Sequence, residues 1–545
     1  KVILDGTLVH NYPHCWRCKT PLIYKAMDAW YFSVEKIKDK LIKCNEDINW
    51  IPENVKHGRF GKWLENARDW NISRNRYWST PIPIWECAEC HERKVLGSID
   101  EIEDVSGTRL KDLHRQYMDK VEFKCSCGGT MKRVPEVLDC WFESGSVPFA
   151  QKHYPFENKE WFENHFPSDF IVEYTGQIRC WFYYLHVLSV ALFDKPAYKN
   201  CVVHGTILAK DGKKLSKSSK NYTDPMELMK NYGTDAFRLY LFRSNAIIMN
   251  DLLFDEKGIK EQVQQVLLPL YNCASFFNSY AILDKFEPDS VKSPSSDNEL
   301  DKWILAKLYD TEKEVTNNMN KYQIDKYVEP IVELIDGFSS WYLRRSRRRF
   351  WESEFTQDKQ NAYETTYYVL VNICKLLAPV TPIISEYLYK NLTRENSVHL
   401  NDWCNIDEKY KNEQILKETE VIQRVISLTR NLREKENIKI RQPLSKIEVS
   451  FTKDYSSIVN KFKETICEEV NVKDIYILKE VEEIAMKAFK VLGVAGNSRI
   501  DFLIDEDKQK VYINEINSIP GSLAFYLWEA KGVSFSQVLD DMINI

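Results

Sequence analysis

Two cysteine pairs, Cys87-Ala88-Glu89-Cys90 and Cys125-Ser126-Cys127, constrain the folding of this chain more than any other feature. Four thiolates satisfy the tetrahedral demand of a structural Zn²⁺, and bringing them together forces the intervening loop to fold back. Gly128 and Gly129 give the second pair its turn. Four unrelated buried cysteines would have no reason to show both spacings beside those glycines. No further polar group asks for an open coordination position, so the expected zinc is structural; His91 is an alternative ligand. Cys15-Trp16-Arg17-Cys18 supplies only half of such a site. Either its partners lie upstream of Lys1 or these are buried thiols. Fourteen cysteines in 545 residues, paired in this way, point to metal in a reducing compartment rather than to a disulfide scaffold.

A second feature is chemical. Lys210 to Lys220 holds five lysines and three serines in eleven residues. Apolar, strand-like runs precede it (Cys201 to Val203 and Thr206 to Ala209). A helix-like pattern follows from Asp224-Pro225, with proline at a first helical position. A loop between strand and helix lies where α/β folds bind ligands. Lysine ammoniums suit phosphate, and serine hydroxyls add donors. A solvated, lysine-rich loop is the other reading of the same residues.

The rest of the chain sets the context. A net charge of −5 restricts any nucleic-acid contact to local patches. No apolar run is read as long enough for a membrane span, and no signal peptide is visible. Asp69 to Pro81, dense in tryptophan and arginine, either lines a pocket or packs a core. Glu173, at the end of a strand pattern, and Gln177 can bind ribose hydroxyls or an ammonium, or serve as caps. Beyond residue 255 helical periodicity takes over. Five arginines within the six positions 344–349 cover more than half a helix circumference, so some brace neighbouring helices while others suit RNA phosphates. Both roles stay open. From Ile447 to Leu478 a small α/β pattern returns.

Lys214-Leu215-Ser216-Lys217-Ser218 matches the KMSKS signature of class I aminoacyl-tRNA synthetases, with leucine for methionine. Residues 1 to roughly 478 resemble isoleucyl-tRNA synthetases, in the eukaryote-like form that also occurs in bacteria. Gln177-x-Arg179-x-Trp181-Phe182, the cysteine pairs and Arg344 to Trp351 resemble the isoleucine type, and Arg76 to Pro81 argues against the valine enzyme although the leucine enzyme shares something similar. The resemblance implies a partial α/β, Rossmann-like nucleotide-binding catalytic domain with a zinc knuckle. A helical anticodon-binding bundle and a small α/β C-terminal piece follow. The implied layout is a remnant of the editing insert over 1–60 and a catalytic half over 61–255. Within that half lie the knuckle (85–130) and the KMSKS loop (210–220). Next come an anticodon-binding domain over 256–446 and an appendage over 447–480.

Its implied chemistry is formation of isoleucyl-adenylate from isoleucine and ATP, then transfer to tRNA(Ile), in a cytoplasmic monomer without membrane contact. Lys214 and Lys217 would clamp the triphosphate, together with Leu215, Ser216 and Ser218. Glu173, Gln177, His204 and Gly205 would hold the adenylate. Trp78 and Trp181 would wall the isoleucine pocket, and Arg344, Arg345 and Arg348 would meet tRNA. Cys87, Cys90, Cys125 and Cys127 would hold zinc. Gly176 stands where the family usually has aspartate and Cys180 where it has glycine. The HIGH half-site and most of the editing insert are expected upstream of Lys1, so the chain alone is expected to be inactive. Binding tRNA without catalysis is the alternative.

The last stretch, 481–545, is different. Arg499-Ile500-Asp501-Phe502 and Asn514 to Ser522 resemble the C-terminal end of D-alanine–D-alanine ligases of the ATP-grasp family. Asp501, Glu515 and Asn517 would share Mg²⁺, with Arg499 facing phosphate or an oxyanion. The junction reads as a gene fusion or an assembly artefact, the artefact being favoured. An ATP-grasp D-alanine–D-alanine ligase remnant is a further alternative for function, and D-alanine ligation by this chain is not expected.

Overall fold

A computed structural model describes residues 6–7, 9–15, 18–215, 221–288, 293–449, 451 and 455–477, and the backbone alone of 499–505 and 510–517. Ser216, Lys217 and Ser218 therefore lie outside the described residues. The chain forms two compact units. The first comprises residues 1–279, 311–339 and 370–404; the second comprises 280–310, 340–369 and 405–545. The helical stretch 256–446 is shared between them.

The first unit is built on three parallel strands, β1 (Asn49–Ile51), β2 (Ser168–Tyr174) and β3 (Tyr198–His204), in the order β2-β3-β1. Register pairs Val172 with Val202 and Val202 with Ile51, and ends with Tyr174 opposite His204. Two helices matter for the site: α1 (Cys140–Gly145) and α2 (Trp181–Phe193). Val187, Val190 and Phe182 of α2 are fully buried and join Trp50, Phe60 and Tyr198 in one core. Each such side chain contributes about 1.5–3 kcal/mol on burial. His186 lies in the same core, and burial pushes its imidazole down to about 4. Its Nε2 lies 2.9 Å from the Leu41 carbonyl, so the neutral ring donates there and Nδ1 is left without a partner.

A four-stranded antiparallel sheet carries the cysteine pairs. Its strands run Arg93–Val95, Ile84–Cys87, Thr130–Arg133 and Glu122–Lys124 across the sheet. Trp85 is fully buried and donates from Nε1 to the Val121 carbonyl at 2.8 Å. That contact folds the loop between the pairs back onto the first strand.

The continuous helix Glu256–Leu283 corrects the expectation about apolar runs, because by length and composition alone it could cross a membrane. A buried core helix meets the same criterion, but only 28% of the apolar window is buried here: Ile259, Val266, Leu270 and Phe277 are inside, while Leu268, Tyr271, Ile282 and Leu283 are exposed.

In the second unit three helices are central: α3 (Arg344–Trp351), α4 (Glu413–Lys435) and α5 (Lys463–Val470). Strands Ile447–Val449 and Ile475–Ile477 pair in parallel, with two short helices between them. Near the end, Arg499–Asp505 and Lys510–Asn517 form an antiparallel pair.

Candidate active site and zinc knuckle

The sulfurs of Cys87, Cys90, Cys125 and Cys127 lie within 4.8 Å of one another. Cys87 and Cys127 are 3.5 Å apart, and Cys90 and Cys125 are 3.6 Å apart. Zinc–sulfur bonds of about 2.3 Å in a tetrahedron set sulfur separations near ~3.8 Å, so the four positions fit a Zn²⁺. The amides of Cys90 and Glu89 point at Cys87 and pull its thiol down to about 7. His91 takes no part. It turns its ring toward Glu86 at 3.3 Å and is mostly exposed. Cys15 and Cys18 do not belong to this cluster, the only one among the described residues. Cys18 is exposed and Cys15 half-buried, which corrects the buried-thiol reading.

The lysine loop leaves Ile207–Leu208, a strand paired with Leu252–Leu253. It turns back at once: the Ala209 amide donates to the Lys213 carbonyl at 2.8 Å, and Gly212 takes φ +77°. Lys214 then bridges to Leu208. Lys210 pairs with Asp255 at 3.2 Å and Lys213 with Asp211 at 3.3 Å. The exposed Lys214 side chain has no ion-pair partner among the described residues and is open to a ligand. Beyond the loop Asp224 caps the helix Pro225–Tyr232, whose first residue is the expected proline.

The sheet's carboxyl edge gathers the other expected residues. Glu173 is the penultimate residue of β2, and His204 ends β3. His204 Nδ1 lies 2.8 Å from the carbonyl of Gly205. Gly205 passes so close to Asn250 that a Cβ would sit 1.8 Å from its carbonyl oxygen. Only glycine fits there. Gln177 accepts the Trp181 amide at 3.1 Å, so in this structure it is a cap for α2. Gly176, the departure from the family pattern, lies under the Tyr174 ring, whose atoms would meet a Cβ at 2.5 Å. An aspartate there requires Tyr174 to swing away.

The aromatic-rich stretch divides. Trp70 is buried and donates to the buried Asp139 at 3.1 Å, and Asp139 also pairs with Arg74 at 2.9 Å. Trp78 instead is 67% exposed and stacks on His114. Trp181 is half-buried and donates from Nε1 to the Ser144 carbonyl at 3.1 Å. The neighbouring Glu143 accepts from the Thr80 amide at 2.7 Å and from Ser79 Oγ at 2.8 Å. Burial pushes the Glu143 carboxyl up, but the hydrogen bonds from Thr80 and Ser79 outweigh it and hold the group ionised below the usual range. Consecutive residues of α1 thus hold Trp181 and the Ser79-Thr80 segment that follows Trp78, while the Trp78 ring itself rests on His114. Sequence reasoning missed Glu143; its signal was an acid among the aromatics of Asp139 to Gly145.

The arginines separate as sharply. Arg349 is buried and clamps Asp301 and Asp358 with hydrogen bonds of 2.7–2.9 Å, while Tyr342 donates to Asp301 at 2.8 Å. Arg345 lies over the Trp341 ring and donates to Thr465 at 3.1 Å. It is half-buried, so its expected place among the tRNA contacts becomes mainly a bracing one. Arg344 and Arg348 are exposed, as is Arg347.

Comparison with known proteins fits this geometry. Residues 14–254 match the family described as tRNA synthetases class I (I, L, M and V), and residues 301–449 match the anticodon-binding domain of tRNA ligases. Over these two stretches the chain is similar to class I tRNA synthetases. Curated relatives include the isoleucine–tRNA ligase of Treponema denticola. It is 46% identical over 514 residues, covering 90% of this chain and 47% of that protein. The isoleucine–tRNA ligase of Chlamydia pneumoniae is 44% identical over 507 residues, covering 92% and 48%. The chain spans about half the length of these relatives. Among solved structures, a LeuRS–tRNA–LeuAMS complex from Agrobacterium radiobacter shares the fold at TM-score 0.50 and 17% identity, covering 78% of this chain and 54% of that one. Mycobacterium tuberculosis methionyl-tRNA synthetase with methionyl-adenylate does so at TM-score 0.50 and 18% identity, covering 70% and 66%. Residues 398–544 match the D-ala D-ala ligase C-terminus, overlapping the anticodon match and beginning well before residue 481.

Proposed function

We propose that this chain is the part of an isoleucine–tRNA ligase that grips ATP phosphates and tRNA during formation and transfer of isoleucyl-adenylate. The observation that carries this reading is 44–46% identity to proteins of that name across some nine-tenths of the chain. Attack of the isoleucine carboxylate on the α-phosphate needs little covalent participation from the protein. Positioning and stabilisation of developing charge supply the rate. Lys214 and Lys217, with Leu215, Ser216 and Ser218, would hold the triphosphate and leaving pyrophosphate. Glu173, His204 and Gly205 would receive the adenylate, and Gln177 would join them by giving up its cap. Trp78 would close on the Trp181 side of the pocket when isoleucine fills it. An apolar pocket gains only about 1–3 kcal/mol from one methylene, so valine is poorly rejected and editing is required.

Zinc supplies no chemistry to the reaction; Cys87, Cys90, Cys125 and Cys127 would hold it as a structural cross-link. Arg344 and Arg348 would face tRNA(Ile), with Arg345 behind them. The protein would act in the cytoplasm as a monomer. Asp501, Glu515 and Asn517, brought by register to adjoining positions on two strands, would share a Mg²⁺. A second reading, RNA binding without catalysis, draws on the exposed arginines of α3, which need no nucleotide site.

Isoleucine-dependent ATP–pyrophosphate exchange tests the proposal. The 545-residue chain alone is expected at background. Mixing it with a polypeptide covering the part of its relatives that it does not span is expected to restore exchange with isoleucine in preference to leucine. Restored exchange that prefers leucine overturns the isoleucine assignment.

A further inference from the structure

Glu469 of α5 is the meeting point of three arginines. Its side chain is 7% exposed. Oε2 accepts from Arg344 of α3 at 2.7 Å and from Arg430 of α4 at 2.6 Å, while Arg345 approaches Oε1 at 4.0 Å. Arg430 was not among the residues expected to bind RNA.

One carboxylate cannot satisfy three guanidiniums. Arg345 is spoken for, lying over Trp341 and bonded to Thr465. Arg344 spends Nε on the Ser340 carbonyl at 2.8 Å and one Nη2 hydrogen on Glu469. Arg430 directs Nη2 at both the carboxylate and the main-chain carbonyl of Glu469. Among the described residues, Nη1 of Arg344 and both Nε and Nη1 of Arg430 have no acceptor. Both side chains are still 41–47% exposed. Because both bond one oxygen, their guanidiniums are no farther apart than two hydrogen bonds end to end. That separation suits the oxygens of a single phosphate, and planar forks bind phosphate bidentately. The exposed Glu468 also acts on Arg345, so the three guanidiniums outnumber the carboxylates of Glu468 and Glu469. The exposed Glu434 lies one turn along α4 from Arg430 and has no ion pair with it.

The surroundings favour a polyanion over a free ion. Arg344, Arg347, Arg348 and Trp351 recur at helical spacing on the exposed side of α3, and Trp351 is 57% exposed. A row of cations ending in an exposed indole matches a phosphodiester strand with an unstacked base at one end.

We propose that Arg344 and Arg430, held side by side by Glu469, form a clamp for one backbone phosphate of RNA. This rests on the reading of the second unit as tRNA-binding and adds to it a residue on a different helix. Glu469 is a positioning residue: it fixes the two forks and half-neutralises them.

The test is binding of a tRNA(Ile) transcript to the 545-residue chain over a range of salt. Arg430→Ala is expected to weaken binding roughly threefold to tenfold and to lower the slope of log K against log salt by about one. Lys417→Ala, which removes one charge from the same helix, is expected to change neither. Because two arginines share one phosphate, Arg344→Ala with Arg430→Ala is expected to lower the slope by about one in total, not two. Arg430→Lys, which keeps the charge and the pairing with Glu469, is expected to keep most of the slope and guards against misfolding as the cause. Equal effects of Arg430→Ala and Lys417→Ala overturn the clamp while leaving the tRNA reading intact, as does an additive double variant. Absence of salt-dependent tRNA binding by the unaltered chain overturns both. So does a polyglutamate that competes as well as RNA of equal charge, since it would assign the patch to an acidic protein.

Discussion

Four cysteines and five arginines make an instructive pair of clusters. Both are conspicuous in sequence, yet only the cysteines announce their geometry. A thiolate has one coordinating atom, and zinc imposes one tetrahedron, so two short spacings and a pair of turn glycines leave a single arrangement. The structure gathers all four sulfurs. A guanidinium has five donors and serves equally well as a buried brace, an aromatic cover or a phosphate ligand. Neighbours distant in sequence decide among these. Asp301 claims Arg349, Trp341 and Thr465 claim Arg345, and Arg344 is divided between Glu469 and solvent.

The largest expected effect is on the cysteine side. Cys87→Ser is expected to abolish stoichiometric zinc, measured by elemental analysis of the purified chain. It should also raise hydrogen exchange through the four-stranded sheet of the knuckle, because structural zinc contributes on the order of 10 kcal/mol where it organises a small domain. Retention of a full equivalent of zinc would break the comparison at its simpler end.

Next comes the arginine that is all structure. Arg349→Ala leaves Asp301 fully buried without its cation, and breaking such a pair costs about 3–5 kcal/mol. A shift of this size in denaturant unfolding of the second unit is expected, with zinc content unchanged. Arg349→Lys should recover only part of it, since one ammonium cannot reach both Asp301 and Asp358 as the fork does.

The same contrast shows how far the sequence could be read. Parallel strands, the capped helix at Pro225, the knuckle and the change to helices are local patterns, and each appears in the structure. Glu143 and Glu469 were not legible, because their work is to hold partners far away along the chain: Thr80 for one, Arg344 for the other. The fate of Trp78 and Trp70 was equally hidden. Both sit in one aromatic run, and only the placing of Asp139 and His114 sends one inward and the other out.

Acid should separate the two units. His186 of the first unit is held neutral by burial, its pKa lowered from 6.5 to about 4. Below 6.5 the unfolded imidazole takes up a proton that the folded one refuses, so stability falls with pH through that window and levels near 4. The loss approaches about 3 kcal/mol. Arg349 does not titrate there. Protection factors for hydrogen exchange, each taken against the intrinsic rate at its own pH, are expected to fall from pH 7 to pH 4.5 far more in α2 than in α3, and His186→Phe should flatten the difference.

The smallest effect bears on the exposed arginines themselves. Arg348 has no ion-pair partner among the described residues, whereas Arg345 is spent on Trp341 and Thr465. Arg348→Ala is therefore expected to lower the salt slope of tRNA binding by about one and leave the unfolding midpoint unchanged. Arg345→Ala is expected to do the reverse. It loses cation–π and packing energy of about 1 kcal/mol while the slope stays within about 0.3 of the parent value. Equal slopes for the two variants would mean that burial does not sort this cluster. The partition of the arginines, the point on which the two clusters differ most, would then fall.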